Sequence, residues 1–195
     1  MLTREKFWKE FIARIGENIK FFPFIGSWTP FINSILFELG KELGYYTRFE
    51  FGRIRIDVCW LTKNRDIEIE LAIEYENEPE TVCDVLEEVE KLKGLKKPKL
   101  KCVMFFVRED KDEKKIKEKI LLWNEKISKC LKTSGDLNKW FFIPFAYFSE
   151  GDNSRKVIFW IFSFDEDGNL KPMGKPEELI QPKDPFLSFW QREEL

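Results

Sequence analysis

The residues best suited to chemistry in this sequence are carboxylates that recur at every second position. Successive side chains of a β-strand point to opposite faces, so a strand from Ile67 to Glu76 would gather alternate residues on one side. That side would carry Glu68, Glu70, Ala72, Glu74 and Glu76. Because clustered carboxylates repel one another, such a face either is solvated or holds a cation.

A further acid, Asp57, falls in the preceding predicted strand. This strand is predicted from Arg53 to Leu61, and its other face is apolar, with Ile54, Ile56, Val58 and Trp60. If Asp66 marks the turn between the two strands, Asp57 and Glu74 stand nearly opposite each other. Their oxygens would then lie within reach of one Mg²⁺ or Mn²⁺ ion.

The elements that must position these acids begin with two helices and a three-strand meander. Thr3 is predicted to cap the first helix, and Thr29-Pro30 to open a second helix that stops at Gly44. The period then changes to two, and reversals at Gly52 and at residues 63–66 separate three strands. Short turns between sequential strands predict an antiparallel meander.

A mixed succession of helices and strands follows the meander. It is predicted, in order, as a helix from Pro79 to about Gly94, a strand from Leu100 to Val107, a helix from Lys111 to Leu131, and strands from Trp140 to Phe148 and from Val157 to Phe164. We expect one α/β domain over residues 1–195, with a core of about 30–164. Residues 165–195 contain four prolines and are predicted to be an irregular C-terminal arm.

In this order of elements, Ile56-Asp57 followed by Ala72-Ile73-Glu74-Tyr75-Glu76 resembles the PD-(D/E)XK nuclease superfamily over residues 30–108. The resemblance implies a restriction-endonuclease-like mixed sheet with an αβββαβ core flanked by helices, here with an extra N-terminal helix and a C-terminal hairpin and arm. It also implies that Asp57 and Glu74 bind Mg²⁺. The family normally places a lysine two residues further on to orient or activate the attacking water, and Glu76 occupies that position.

Lys93 is the predicted substitute for the missing lysine, since related families supply it from the following helix. Lys93 continues that helix's apolar stripe one turn after Val89, whereas Lys91 points nearly opposite to the stripe. On the second helix, Glu38 loosely matches a further acid that family members often place near the metal, although Glu42 is nearer the apolar stripe. The candidate catalytic residues are Asp57, Glu74, Glu76 and Lys93, and the candidate metal ligands are Asp57, Glu74 and Glu38.

Charge is unevenly distributed along the chain, although the formal net charge is only −2. From Asp66 to Glu90 there are eleven acids and no base, and from Lys91 to Lys132 there are fifteen bases and six acids. This separation predicts a cation-binding region beside an anion-binding one, with merely solvated helix faces as the alternative. The candidate nucleic-acid contacts are Lys96, Lys97, Lys99, Lys101, Lys114 and Lys115.

Composition excludes several classes of protein. The sequence has no His, which removes Ser-His and Cys-His nucleophile systems, and it has no phosphate-cradling glycine loop. Its four cysteines are not paired in CxxC motifs and are predicted to be reduced thiols. Its Lys and Glu content resembles that of thermophile surfaces. Since no apolar run approaches the ~18 residues of a membrane span, we expect a soluble cytoplasmic protein.

The sequence therefore predicts a divalent-metal-dependent nuclease, or a nuclease-related protein, that acts on nucleic acid. The alternative is a catalytically inactive module of the same fold that binds nucleic acid or another protein. A third alternative is an interaction protein that uses Phe186, Phe189 and Trp190 near the C-terminus. These aromatic residues are expected to dock on their own core, with a homodimer seam as the other reading.

Overall fold

The computed structural model describes residues 2–21, 28–62, 67–77, 79–95, 97–107, 112–150 and 154–182. These residues form a mixed α/β fold with four α-helices and one sheet of nine strands. The helices are α1 (Arg4–Asn18), α2 (Trp28–Glu42), α3 (Val82–Gly94) and α4 (Glu113–Leu131), with short 3₁₀ turns at Ile19–Phe21 and Leu137–Lys139. The strands are β1 (Tyr46–Phe51), β2 (Ile56–Leu61), β3 (Ile69–Glu76), β4 (Leu100–Phe106), β5 (Trp140–Glu150), β6 (Ser154–Phe159), β7 (Phe162–Phe164), β8 (Leu170–Pro172) and β9 (Glu177–Pro182).

The sheet is parallel in its centre and antiparallel towards both sides. Its order is β1-β2-β3-β4-β5-β6-β9, and the predicted meander of β1, β2 and β3 is antiparallel, as expected. Strand β4 runs parallel to β3, and β5 runs parallel to β4. Strand β7 pairs with β5 and β8 pairs with β7. The α3 crossover between β3 and β4 thus makes the first parallel connection of the sheet.

Side chains that cap the helices explain where they begin. Thr3 accepts a hydrogen bond from the Lys6 N–H, which confirms the predicted cap of α1. Helix α3 begins at Val82 and not at Pro79, because Thr81 and Asp84 form a reciprocal capping box. Similarly, Asp112 caps α4, which therefore begins at Glu113.

Two layers of apolar side chains sandwich the sheet. Helices α1 and α2 pack on one face, where the ring of Phe7 contacts those of Phe11, Trp60 and Phe141. Helices α3 and α4 pack on the other face, around residues such as Phe105. Large rings fill both layers, as the composition predicts. The two faces are therefore called the α1/α2 face and the α3/α4 face.

Two predicted strands are interrupted or shortened. The strand predicted from Val157 to Phe164 is divided into β6 and β7, which pair with different parts of β5. The division lies opposite Pro144, which has no N–H to donate and instead accepts from the Trp160 N–H at 2.9 Å. Strand β2 begins at Ile56 and not at Arg53, and Ile54 lies in the β1–β2 turn with 44% of its surface exposed.

The C-terminal segment differs from the expected irregular arm. Within residues 165–182, β8 extends the sheet beside β7, and β9 pairs with β6 through six residues. Arg155 of β6 donates a hydrogen bond to the buried Gln181 of β9 at 2.6 Å, which fastens the added strand. The prolines are tolerated because Pro172 and Pro182 are the last residues of their strands. Phe186, Phe189 and Trp190 lie outside the described residues.

Candidate metal centre

Strands β2 and β3 bring Asp57 and Glu74 together. Val58 pairs with Ile73 and Cys59 with Ala72, so the same register places Asp57 opposite Glu74, as predicted. Cys59 and Ala72 belong to the core on the α3/α4 face, and alternation directs both acids to that face. The Tyr75 N–H donates to Asp57 Oδ2 at 2.9 Å and fixes this carboxylate.

A third carboxylate reaches the same place from helix α3. Asp57, Glu74 and Glu88 each offer an oxygen, and these oxygens all lie within 4.8 Å of one another. Glu74 is 0% exposed and Glu88 is 8% exposed, whereas Asp57 is half-buried. We call these three residues the acidic triad.

Lys91 supplies the positive charge of the site. Its Nζ lies 2.6 Å from Glu88 Oε2 and 3.6 Å from Glu74 Oε2. Glu88 and Lys91 are three residues apart on α3, so they share one edge of the helix. Three ionised carboxylates and one ammonium leave a formal charge of −2, which one divalent cation would neutralise.

Burial and mutual repulsion determine the electrostatics of the triad. Neither oxygen of Glu74 has a hydrogen-bond partner. Its burial, together with the adjacent Glu88 and Asp57, raises its pKa to about 11. Burial also raises the pKa of Asp57, although the Tyr75 N–H and Lys91 oppose that rise. Without a cation, the triad therefore holds at least one proton at neutral pH.

Lys91 and Cys59 respond to the same negative charge. Partial burial acts to lower the pKa of Lys91, but the hydrogen bond to Glu88 and the charge of Glu74 outweigh it and raise the pKa. Burial, followed by the charge of Glu74, raises the pKa of the Cys59 thiol to about 12. Lys91 thus stays charged, and Cys59 stays a neutral thiol unsuited to nucleophilic attack.

The donor set fits a hard divalent cation. Mg²⁺ binds oxygen ligands at about 2.0–2.1 Å, so ligands on opposite sides of the ion are about 4.2 Å apart. The separations within the triad are compatible with such an ion after small side-chain adjustments. Carboxylate-only sites favour Mg²⁺, Mn²⁺ or Ca²⁺ over softer metals. A cation would also contact the Glu74 oxygens directly, whereas Lys91 approaches them only to 3.6 Å and no donor hydrogen-bonds to them.

Three of the predicted site residues lie away from the triad. Glu76 is half-buried at the end of β3 and is not among the three converging carboxylates. Glu38 is exposed on α2, the helix that covers the opposite face of the sheet. Lys93 Nζ bonds to Glu90 at 2.7 Å, so the expected roles of the two α3 lysines are reversed and Lys91 meets the acids.

The predicted row of carboxylates is broken by a β-bulge in β3. Leu61 pairs with Ile69 and Trp60 pairs with Leu71, which leaves Glu70 as an extra residue. Glu70 accepts from the Leu2 N–H at 3.2 Å and lies 3.0 Å from Lys99 Nζ. The expectation of one polar face carrying all the acids is therefore wrong, because the bulge separates Glu70 from Glu74.

The face of β2 that carries Asp57 is covered by helices, whereas the prediction expected it to be a polar side. Asp57 was predicted to share a polar side with Arg55, but Cys59 and Leu61 on its face are buried under α3 and α4. Arg55 instead lies in the exposed turn, where it forms an ion pair with Glu50. The triad is consequently enclosed between sheet and helix, which explains its strong electrostatic coupling.

The predicted nucleic-acid lysines have different environments. The prediction that Lys101 contacts nucleic acid is wrong. Its side chain is only 3% exposed, and its Nζ lies 2.9 Å from Asp136 and over the Trp140 ring. Lys101 therefore cannot contact a ligand at the surface. Lys99 bridges Glu68 and Glu70 at 3.0 Å each. The remaining described members, Lys97, Lys114 and Lys115, are exposed, and Lys96 lies outside the described residues.

Glu88 is the site residue that the sequence reasoning missed. It stands three residues after Val85 and four before Leu92, both fully buried, which places it on the border of the apolar stripe. An acid in that position, followed three residues later by a lysine, was an available signal.

The part of the chain that the structure describes contains no helix both long and apolar enough to cross a membrane.

Comparisons with known proteins add little to this geometry. The chain matches no protein-family model and no curated protein. Among solved structures, it is similar to a chain described as the crystal structure of the central domain of yeast acetyl-CoA carboxylase, with a TM-score of 0.40 and 10% identity. That alignment covers 79% of this chain but only 28% of the yeast chain. A likeness this loose carries no argument about fold family or activity.

Proposed function

We propose that this protein is a divalent-metal-dependent nuclease, or a close nuclease relative, that acts on the phosphodiesters of nucleic acid. One observation carries the proposal: Asp57, Glu74 and Glu88 converge within 4.8 Å, and both oxygens of the fully buried Glu74 lack a hydrogen-bond donor. Keeping three ionised carboxylates together in this way is costly, and either a proton or a bound cation among them removes that cost.

The order of elements supports a restriction-endonuclease-like core. Helix α2, the antiparallel strands β1, β2 and β3, helix α3 and the parallel strand β4 follow one another in the order that the PD-(D/E)XK resemblance implies. In that resemblance, Asp57 and Glu74 take the positions of the metal-binding acids on the second and third strands. We therefore propose that the mixed α/β fold belongs to that superfamily.

Each residue of the site has a role in the proposed reaction. The bound ion would polarise a phosphate oxygen and lower the pKa of its water. Asp57, Glu74 and Glu88 would hold the ion, and Lys91 would stabilise the charge that develops on the phosphate. Lys91 is 41% exposed and Asp57 is half-buried, so a phosphate would approach from their side. Glu76 remains a candidate for orienting water from the end of β3.

A catalytically inactive module is the second candidate. Glu76 stands where the family's lysine is expected, and Lys91 is already engaged by Glu88 and Glu74. A protein with the same fold but without the chemistry would bind nucleic acid or a protein partner and would use the cation, if any, for stability.

Metal binding is the first test. Thermal unfolding and titration calorimetry with Mg²⁺, Mn²⁺ and Ca²⁺ would compare the wild type with Asp57→Asn, Glu74→Gln and Glu88→Gln. Glu87→Gln is the matched control, because Glu87 is an exposed neighbour on the same helix. We expect the cation to stabilise the wild type and the control but not the three triad variants. Equal responses in all five proteins would eliminate the metal site.

Cleavage is the second test. Single-stranded, double-stranded and branched DNA and RNA would be incubated with the protein and Mg²⁺ or Mn²⁺, with Asp57→Asn as control. Cleavage by the wild type alone supports the nuclease. If both proteins are inert while binding remains and weakens with salt, the inactive module is the better description. Absence of both cleavage and binding would reject a nucleic-acid function.

A further inference from the structure

The ammonium of Lys91 lies where a divalent cation would have to bind. Its Nζ is 2.6 Å from Glu88 Oε2 and 3.6 Å from Glu74 Oε2, and both carboxylates belong to the acidic triad. Without a cation, the triad is therefore partly neutralised by a side chain of the protein itself. A metal ion that binds there meets a positive charge already close to two of its ligands.

The ammonium and a divalent ion cannot both keep close contact with Glu88 Oε2. Mg²⁺ binds a carboxylate oxygen at about 2.1 Å, so an ion that shares this oxygen with Lys91 lies at most about 4.7 Å from Nζ. Glu74 and Glu88 are both buried, and two positive charges at such a distance repel strongly where water is excluded. Metal binding and the contact between Lys91 and Glu88 therefore oppose each other.

Lys91 is the group at the site that can move away. Its side chain is 41% exposed and has a flexible four-carbon stem, whereas Glu74 is 0% exposed. Asp57 is fixed by the Tyr75 N–H, which donates to it at 2.9 Å. An arriving cation therefore displaces the ammonium towards solvent more readily than it displaces the acids. In that position the ammonium can donate to a phosphate oxygen.

We propose that Lys91 competes with the divalent cation for the triad, and that the cation displaces the ammonium from Glu88 to the solvent side of the site, where it binds a substrate phosphate. This deepens the proposed function and rests on its metal site. The contact between Lys91 and Glu88 is then autoinhibitory, since it weakens metal binding and withholds the ammonium from substrate. It also sets an order in which metal binds before phosphate.

Metal affinity tests this inference without any substrate. Titration calorimetry with Mg²⁺ and Ca²⁺ would compare the wild type with Lys91→Met and Lys91→Arg at about pH 8.5. At that pH protons compete less with the metal, while Lys91 stays charged because its partial burial is outweighed by the acids that raise its pKa. Lys91→Met should bind the ions more tightly by about fivefold to 150-fold, the usual range of coupling between two ligands. Lys91→Arg, which keeps the charge, should bind them no more tightly than the wild type.

Lys93→Met is the matched control. It removes the same charge from the same helix, but Lys93 Nζ bonds to Glu90, outside the triad, at 2.7 Å. Its metal affinity should equal that of the wild type. Circular dichroism melting checks that each variant is folded, and Lys91→Gln replaces Lys91→Met if the methionine variant does not fold.

Lysine acetylation follows the displacement directly in the wild type. A brief treatment with an acetylating ester, with and without Mg²⁺, would be followed by mass spectrometry of α3 peptides that resolve Lys91 from Lys93. Separation of the ammonium from the carboxylates lowers its pKa, and each unit gives about tenfold more of the reactive neutral amine. Mg²⁺ should therefore increase the labelling of Lys91 by about tenfold, leave Lys93 unchanged, and have no effect in Glu74→Gln.

The results distinguish this inference from the proposed function. If Mg²⁺ binds through the triad but Lys91→Met binds it no more tightly than the wild type, the competition is wrong while the metal site stands. The same conclusion follows if Mg²⁺ leaves the labelling of Lys91 unchanged or lowers it. If the wild type and Glu74→Gln respond equally to metal, the triad binds no cation and both proposals fail.

Discussion

Replacing Glu74 with glutamine removes the buried acid while keeping its shape, and the consequence can be worked out from the structure. In the absence of metal, an amide is neutral and can donate hydrogen bonds to Asp57 and Glu88. The wild-type carboxyl must instead either hold a proton or bear a buried charge beside two other acids. We therefore expect Glu74→Gln to stabilise the metal-free protein at neutral and alkaline pH.

The magnitude follows from proton linkage. The pKa of Glu74 rises from 4.5 to about 11 on folding, so the folded state binds the proton more tightly. The free energy of unfolding must then fall as pH rises between those two values, at about 1.4 kcal/mol per pH unit for one proton. Between pH 5 and pH 8 this amounts to about 4 kcal/mol. The raised pKa of Asp57 adds a dependence of the same sign.

Urea unfolding across that pH range, in EDTA, measures the effect. The wild type and the exposed control Glu87→Gln should lose stability as pH rises, whereas Glu74→Gln should lose much less. With Mg²⁺ at a hundred times its dissociation constant, the wild type should regain about 2.7 kcal/mol and the variant nothing. A wild type of constant stability from pH 5 to pH 8 would refute the reasoning that a proton occupies the triad.

The remaining predictions concern single side chains. Lys91→Met should lower metal-dependent cleavage by about a hundredfold or more, whereas Lys93→Met, two residues away, should leave the rate unchanged in the same assay. Lys101→Met should cost about 1–3 kcal/mol in urea unfolding, because it removes the ammonium that donates to Asp136, while Ser134 and Trp140 still donate to that carboxylate. Gly40→Ala should cost about 1–3 kcal/mol by the same measurement, since its Cβ would lie 2.7 Å from Nε1 of the fully buried Trp60, and an unchanged midpoint would contradict that packing.

The features that the sequence predicted well are those set by local interactions. The cap at Thr3 depends on neighbouring residues, and it appears as expected. The pairing of Asp57 with Glu74 was also predicted, although the register beside the turn, Leu61 with Ile69, differs by one residue and the bulge at Glu70 makes up that difference. Half of the candidate site was therefore accessible before any coordinates.

The other half depended on tertiary packing. The rotation of α3 is set by the complete burial of Val85, Val89 and Leu92, and that rotation decides whether Lys91 or Lys93 meets the acids. The extra residue at Glu70 changes which face of the sheet the preceding residues of β3 point to. The alternation of apolar and polar residue types in the sequence does not show this change. Burial of this kind is a property of the whole fold, which single-sequence patterns do not contain.

Because Glu88 and Lys91 share one helix edge, the rotation of α3 about its axis positions both side chains at once. A single residue inserted between Val82 and Glu88 would turn the rest of α3 by about 100° and carry both side chains out of register with β2 and β3.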